Sequence, residues 1–300
     1  MSKMSSHTLK DWIIATRPWS FPASAMPVMV TVFYMWMSDY EVNWLLGLWA
    51  LINIVIVHGA GNVWSDIADY RSGVDATDTF GVRTLVDGQF TVTEFQRLSA
   101  ILNIIAVSAG IALVLLTGLP LLWIGLTGIA LSLAYPWLKY HALGDVVIIL
   151  CYAVLPMLGT SFIVTGTPQV HSLLLAVPVG LITVAILHAN NVRDIETDSR
   201  VGISTFPQLT GRRLGVWLYC FEALFPFLWL TGLVIFGLVS WPMLLALLAL
   251  PIAIKNVKTI SAYRQGISIY ARLDEQTAQL QLMFSLLLIV GMVISTLWLP

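Results

Sequence analysis

The sequence contains too few charged residues for a water-soluble protein of its length. Of its 300 residues, 10% are charged and 58% are hydrophobic, whereas a soluble domain usually carries about a quarter charged residues. So few charges cannot cover a globule in water, which excludes a soluble enzyme and a disordered chain. The mean hydropathy of +0.86 instead predicts a polytopic helical membrane protein.

The sequence also has few cysteines and no excess of basic residues. Cys151 and Cys220 are the only cysteines. Both lie in apolar stretches without metal-ligand spacing, which excludes a disulfide scaffold and predicts two buried apolar side chains. The net charge is −1, so no nucleic-acid partner is expected. The residues before Pro18 lack a long apolar run, so we expect no cleavable signal.

The sequence is rich in long apolar runs. Because backbone polar groups in lipid must be satisfied within the segment, each run is expected to be a helix. The fold class is therefore all-α, a membrane bundle of nine transmembrane helices. The predicted spans are 22–38, 43–63, 98–117, 119–135, 146–165, 172–191, 214–236, 238–254 and 279–299.

Basic residues are missing from every second segment between the spans. All 15 Lys and Arg residues lie either before the first span or in a segment that follows an even-numbered span. The only charged residues in the other segments are the acids Asp39 and Glu41. The positive-inside rule predicts an integral protein of the inner (cytoplasmic) membrane with a cytoplasmic N-terminus and an opposite C-terminus. The longest loops, about 64–97 and 192–213, are then cytoplasmic, which predicts an active site at that face.

A first cluster of polar residues lies where the second span ends. If the helix continues, Asn62, Asp66 and Asp69 fall at i, i+4 and i+7 and share one face. Asp75 follows Gly73, on the turn that is expected after the helix.

A second cluster lies where the sixth span ends. Asn191, Asp194 and Asp198 fall at i, i+3 and i+7 and again share a face. Because the clusters are four spans apart, we predict one domain over residues 1–300, a pseudo-repeat of two four-helix units plus a ninth helix. A single acid at a helix end is usually solvated, but two matched faces favour a functional site.

These acids predict a cation site. Carboxylates at a helix C-terminus face the negative end of the helix dipole and one another, which is unfavourable without a cation. Oxygen-only ligands suit Mg²⁺, which commonly binds a few carboxylates together with substrate phosphates. Arg71, Lys139 and Arg193 can neutralise phosphate oxygens. The sequence therefore predicts a diphosphate held between two Asp-rich helix ends at the membrane surface.

Three ionisable residues inside the spans have open roles. His58 and His188, each about one turn inside its span, are expected to face the bundle interior. Each either contacts substrate or bonds to a neighbouring helix. Glu222 in the seventh span should also face the bundle, with no assigned role.

The two clusters resemble the two Asp-rich motifs of the UbiA superfamily of intramembrane aromatic prenyltransferases. The resemblance covers nearly the whole chain and implies a UbiA-type bundle in which cytoplasmic Asp-rich loops cap a central cavity. The motifs are most similar to the branch that prenylates 1,4-dihydroxy-2-naphthoate. Further similar stretches are Arg17–Pro18 with Phe21–Ala23, Gly81–Gly88, Tyr135–Tyr140 and Leu143–Asp145.

The resemblance implies a Mg²⁺-dependent prenyltransferase. Its donor would be a polyprenyl diphosphate and its acceptor 1,4-dihydroxy-2-naphthoate. Diphosphate and CO2 would leave and demethylmenaquinol would form, a step of menaquinone biosynthesis, with the apolar tail reaching membrane lipid. The implied catalytic and Mg²⁺-binding residues are Asp66, Asp69, Asp194 and Asp198. The implied diphosphate-binding residues are Asn62, Arg71, Arg83, Lys139, Asn191 and Arg193. The candidate acceptor or pocket residues are His58, Tyr135, Tyr140 and His188.

Two alternatives remain open on the sequence alone. One is another UbiA-type transfer, to 4-hydroxybenzoate or to a different aromatic or lipid acceptor, because these enzymes share the Asp motifs. The other is a cation-coupled transporter, since paired motifs in repeated halves also occur there. Transporter sites typically lie near the bilayer midplane, whereas these acids lie at the span ends, which favours the enzyme.

Overall fold

The structure, a computed structural model, describes residues 7–75, 83–262 and 271–298. Within these ranges it contains nine helices that are long and apolar enough to cross a membrane, which confirms the predicted fold class. We number them span 1 to span 9 in chain order. Their bounds are Pro18–Met37, Trp44–Ser72, Val92–Thr117, Leu119–Lys139, Gly144–Thr165, Val170–Arg193, Arg212–Ile235, Trp241–Ser261 and Leu273–Trp298.

Several spans extend beyond the apolar runs that predicted them. Span 2 continues to Ser72 and ends where Gly73 adopts a left-handed φ of 75°, a common C-terminal cap. Span 3 begins at Val92, where Thr91 and Glu94 form a capping box. Hydrophobicity locates the membrane, whereas caps locate the helix ends. The extra turns of span 2 carry the first acidic cluster.

Span 5 is irregular where it packs against His58 of span 2. Its residues Leu150–Val154 form a π-helical turn just before Pro156. A proline inside a helix lacks an N–H and crowds the preceding turn, and π turns often occur at functional sites. The turn carries Tyr152, whose ring packs edge-on against His58 with 4.9 Å between the centroids.

Burial separates central spans from peripheral ones. In the most apolar window of spans 1, 6 and 9, 50%, 56% and 50% of the residues are buried, against 11% in spans 3 and 4. The outer faces of the peripheral spans carry large exposed apolar side chains such as Leu115 and Trp123, as expected where a helix meets lipid. The bundle core therefore lies around spans 1, 6 and 9.

A short helix, Leu9–Ala15, precedes span 1. Trp12 packs against Phe90 of the loop before span 3, with ring centroids 4.9 Å apart. Ala15 joins a small apolar cluster with Val63 and Ile67 of span 2. This N-terminal helix therefore lies over the end of span 2 that carries the first acidic cluster.

Candidate active site

The first acidic cluster lies on one face of span 2, as predicted. Asn62 donates from Nδ2 to Thr16 O at 2.9 Å and to Ser20 Oγ at 3.0 Å. One turn later, the buried Asp66 lies with Oδ1 2.5 Å from Arg17 Nη2. The N-terminal segment is thus fastened to the motif at two successive positions. A diphosphate-binding role for Asn62 stays a prediction.

Arg17, named above only as part of a stretch similar to the family, is a site residue for which no role was predicted. It has a left-handed backbone, with φ 57° and ψ 60°, immediately before span 1, a conformation uncommon outside glycine. Burial lowers the pKa of Arg17, but the carboxylates of Asp66, Asp75 and Asp69 outweigh burial and raise the pKa overall. Its guanidinium therefore stays charged. The available sequence signal was an arginine next to a proline at the membrane boundary.

Asp69 connects span 2 to the end of span 4. Its Oδ2 lies 3.3 Å from Lys139 Nζ, and its Oδ1 accepts a hydrogen bond of 2.6 Å from Tyr140 Oη. Burial and the Asp69 carboxylate raise the pKa of Tyr140, so the phenol remains a donor. Tyr140 Oη also lies 3.1 Å from Ser72 Oγ. Tyr140, predicted as a pocket residue, is thus bonded directly to a motif carboxylate.

The helix that carries the second acidic cluster is interrupted within the cluster. Span 6 ends at Arg193, Asp194 has φ −93° and ψ 11°, and a short helix follows over Ile195–Arg200. The amide of Asp198 still donates to Asp194 O at 2.8 Å, so the helical hydrogen-bond spacing persists across the break. The single helix face expected for this motif is therefore bent at Asp194.

Arg193 links the second motif to span 9. Its Nε donates to Asp194 Oδ1 and its Nη2 donates to Asp194 Oδ2, both at 2.8 Å, which makes a bidentate pair. Its Nη1 donates to Ala271 O at 3.0 Å and lies 3.5 Å from Asp274 Oδ1. Asp274 is a neighbour of the motif that sequence spacing did not indicate.

The two motifs approach each other through the segments that follow them. A Cβ atom on Gly73 would lie 3.8 Å from Val201 Cγ1. In the loop after span 4, Tyr140 O accepts a 3.0 Å hydrogen bond from the Ser204 amide. Asp198 interacts electrostatically with Lys139 and Asp69. Both motifs therefore border one polar region, with Lys139 between them.

Negative charge is concentrated in this polar region. Burial, followed by the Asp194 carboxylate, raises the pKa of Asp198 to about 7. Burial, followed by the Asp69 carboxylate, raises the pKa of Asp75 to about 6. The turn predicted for Asp75 is present, because the amides of Val74 and Asp75 both donate to Asp69 O. Such a region favours a bound cation.

The donor set fits Mg²⁺. Asp66, Asp69, Asp194 and Asp198 offer oxygen ligands only, and three of them are buried. Among the described residues, these four contribute no trio of ligand atoms within 4.8 Å of one another. The motifs therefore suit ions that take one or two carboxylates from the protein and their remaining ligands from substrate phosphates and water.

The other predicted diphosphate-binding residues differ in position. Arg71 is exposed at the end of span 2, and Asn191 is buried in span 6. Arg83 Nε lies 3.8 Å from Asp87 Oδ1 in its own loop. The start of the family-like stretch Gly81–Gly88, which contains Arg83, lies outside the described residues. Roles for Arg71, Asn191 and Arg83 stay predictions.

Of the predicted pocket residues, Tyr135 and His58 lie near the first motif. Tyr135 interacts electrostatically with Lys139 and Asp69. His58 Nδ1 lies 2.9 Å from Ser24 Oγ, and its Nε2 lies 3.3 Å from Ser20 Oγ. His58 therefore bonds to span 1, one of its two expected arrangements. Contact with substrate stays a prediction for both residues.

Comparisons with known proteins assign the family. Residues 24–267 match the UbiA prenyltransferase family. UbiA prenyltransferase domain-containing protein 1 of Danio rerio is 32% identical over 290 residues, covering 95% of this chain and 84% of the relative. The protein belongs to the UbiA prenyltransferase family.

Solved structures support the same fold. The apo structure of a UbiA homolog from Aeropyrum pernix K1 has a TM-score of 0.68 at 17% identity, covering 93% of this chain and 98% of the other. A UbiA homolog from Archaeoglobus fulgidus, solved bound to DMAPP and Mg²⁺, has a TM-score of 0.62 at 11% identity and covers 93% and 99%. The assignment to the family does not extend to the naphthoate branch, because the Danio rerio relative does not bear that name.

Proposed function

We propose that this protein transfers a prenyl group from a prenyl diphosphate to a membrane-accessible acceptor, in a Mg²⁺-dependent reaction. The observation that carries the proposal is the position of Lys139. Its ammonium lies 3.3 Å from Asp69 of the first motif and interacts with Asp198 of the second. A cation that interacts with carboxylates of both motifs suits the binding of a diphosphate, whose charge Mg²⁺ held by the motifs would also offset.

In this proposal the four motif aspartates would hold the metal. Mg²⁺ bound there would supply positive charge that stabilises the leaving diphosphate. Lys139 donates to phosphate oxygens as the bond between the prenyl carbon and the diphosphate oxygen breaks. Arg17 and Arg193 hold Asp66 and Asp194 in place through the ion pairs of the structure. Electrostatic stabilisation of this kind is usually a large share of the rate enhancement.

The prenyl chain would lie within the bundle, next to the first motif. Phe21, His58 and Tyr152 pack together there, with His58 5.6 Å from the Phe21 ring and 4.9 Å from the Tyr152 ring. Aromatic walls suit an apolar chain and keep water from the reacting carbon. The charge asymmetry supports a cytoplasmic site and N-terminus and an opposite C-terminus in the inner membrane.

A broad UbiA-type transfer has more support than the naphthoate reaction. The motif resemblance favours 1,4-dihydroxy-2-naphthoate, but the relative described above is named only for its prenyltransferase domain. The Asp motifs act on the donor and do not select the acceptor. We therefore keep 4-hydroxybenzoate, other aromatic acceptors and lipid acceptors beside the naphthoate.

The test offers purified full-length protein a polyprenyl diphosphate with Mg²⁺ and each acceptor separately, and follows products by mass. We expect a prenylated product that is lost with EDTA and with Asp194→Asn. Asp39→Asn is the matched control, because Asp39 is an exposed acid with a left-handed φ of 62° that asparagine also tolerates.

Each outcome of the test assigns the protein differently. A decarboxylated naphthoate product would establish that branch. A product from another acceptor alone would keep the prenyl transfer and reject the branch. Folded protein that binds no diphosphate in the presence of Mg²⁺ would overturn the enzyme proposal and favour a cation-coupled transporter.

A further inference from the structure

A third cluster of ionisable side chains, distinct from the two Asp-rich motifs, lies where spans 5, 6 and 7 meet. Asp145, His188 and Glu222 place one ligand atom each within 4.8 Å of the others, the one such trio among the described residues. His188 Nδ1 lies 3.3 Å from Glu222 Oε1 and 3.5 Å from Asp145 Oδ2. The prenyl-transfer proposal gives Asp145 and Glu222 no role, and a role in the acceptor pocket stays a prediction for His188.

Close packing of the helices builds the cluster. A Cβ on Gly144 would lie 3.2 Å from Leu187 Cδ2, and one on Gly215 would lie 3.0 Å from Val192 Cγ2. Glycine at these two positions lets spans 5 and 7 approach span 6 on either side. His188 consequently faces a carboxylate from each neighbour.

Buried polar atoms in the cluster lack partners. His188 is fully buried, and the Glu222 side chain is 4% exposed. Both ring nitrogens of His188, and Oε2 of Glu222, have no hydrogen-bond partner. Buried polar atoms are normally satisfied, and two carboxylates beside one imidazole leave uncompensated negative charge in an apolar setting. A proton on His188 offsets one negative charge, whereas a divalent cation offsets both.

The distances match metal ligation more closely than hydrogen bonding. Neither contact of His188 Nδ1 has hydrogen-bond geometry. Tetrahedral zinc ligands at about 2.0–2.1 Å from the ion lie roughly 3.3–3.4 Å from one another, close to the two separations in this cluster. Asp145, with 21% of its side chain exposed, provides a route of entry for an ion.

The geometry points to a divalent transition-metal site of the zinc class, formed by Asp145, His188 and Glu222, that joins spans 5, 6 and 7. One nitrogen and two carboxylate oxygens suit Zn²⁺, whereas oxygen-only sets suit Mg²⁺. The unpartnered Oε2 of Glu222 can supply a fourth ligand if that carboxylate binds through both oxygens. The trio includes none of the four motif aspartates, of which Asp66, Asp69 and Asp194 pair with Arg17, Lys139 and Arg193.

The test measures Zn²⁺ content rather than enzyme activity. Full-length protein is stripped with a chelator, incubated with Zn²⁺ in excess Mg²⁺, desalted and analysed by elemental mass spectrometry. We expect about one Zn²⁺ per chain and a higher Tm than in the stripped protein. Glu222→Gln and His188→Gln should remove most of the zinc and abolish its effect on Tm.

The controls separate this site from other ligands. Glu94→Gln and His171→Gln remove the same chemical groups outside the cluster and should retain zinc. Asp66→Asn with Asp194→Asn should also retain it. Folded wild-type protein without zinc overturns the proposal, as does zinc that is lost with the Asp66 and Asp194 changes but not with Glu222→Gln.

A spectroscopic measurement on the wild type covers the case in which the cluster variants fail to fold. Co²⁺ in place of Zn²⁺ should give the intense visible bands of a four-coordinate ion with nitrogen ligation. Only the weak bands of a six-coordinate, all-oxygen ion would overturn the assignment.

Discussion

Arg17 and Asp66 form an ion pair of 2.5 Å that joins the segment before span 1 to the first acidic motif on span 2. The Asp66 side chain is 4% exposed and the Arg17 side chain 29%. Next to this pair, Asn62 bonds to Thr16 O. The start of the membrane domain is therefore held against the face that carries the motif.

Removing one partner of this pair should destabilise the protein. Arg17→Gln leaves Asp66 buried without its cation. Loss of one partner of a fully buried pair costs about 3–5 kcal/mol, and the partial exposure of Arg17 reduces the expected loss to about 2 kcal/mol. The measurement is Tm in detergent. The double variant with Asp66→Asn should recover much of the loss, and equal losses in both would contradict a specific pair.

Lys139 and Tyr140 both contact Asp69, but their substitution should lower kcat/KM by different amounts. Lys139→Met removes a charge that can reach phosphate and should lower kcat/KM for the diphosphate by about 100-fold. Tyr140→Phe removes one hydrogen bond to Asp69, worth about 1 kcal/mol, and should lower it by less than about tenfold. Steady-state kinetics with varied diphosphate distinguishes the two. Equal effects would assign Lys139 a positioning role only.

Gly291 should not tolerate a side chain. A Cβ there would lie 2.4 Å from Pro242 O and 2.6 Å from Met243 Cα, so Gly291→Ala must separate spans 8 and 9. We expect a Tm several degrees lower, as for overpacked cores. Gly232→Ala is the matched control, because a Cβ at Gly232 meets nothing within 4 Å and alanine is the better helix former. Equal Tm values would show that spans 8 and 9 are not tightly packed.

The membrane orientation can be tested with cysteine chemistry. In a background that lacks Cys151 and Cys220, Asp39→Cys and Gln89→Cys place single thiols at exposed positions in adjacent interspan segments. An impermeant maleimide added to intact cells should label Asp39→Cys, and Gln89→Cys should react only after lysis, as the positive-inside rule predicts. The reverse pattern would place the active site outside the cytoplasm.

The number of spans and the face shared by Asn62, Asp66 and Asp69 were predictable because both depend on local pattern. Apolar runs locate membrane helices, and the period of 3.6 residues places side chains on faces. The break at Asp194 was not predictable from this period. Helical hydrogen bonds continue on both sides of the break, so the spacing of the motif residues is that of an unbroken helix. The exact helix ends depended on caps such as Gly73.

The partners of the motif residues could not be read from spacing. Arg17 contacts Asp66, and Arg193 contacts Ala271 O. The partners are far apart in sequence and come together only when the helices pack. The same holds for His188 and Glu222, which lie on different spans. Both residues were predicted to face the bundle interior, but their spacing in the sequence does not show that they meet. The predicted pseudo-repeat of two four-helix units stays a prediction.

The N-terminal helix, Leu9–Ala15, has a practical consequence for handling the protein. It packs over the end of span 2 and leads directly into Thr16 and Arg17, which contact Asn62 and Asp66. A fusion partner or affinity tag placed against this helix would strain contacts that align the first motif, and the loss of activity would resemble an active-site defect. Tags beyond span 9 leave those contacts undisturbed, so preparations for kinetic work should carry them there.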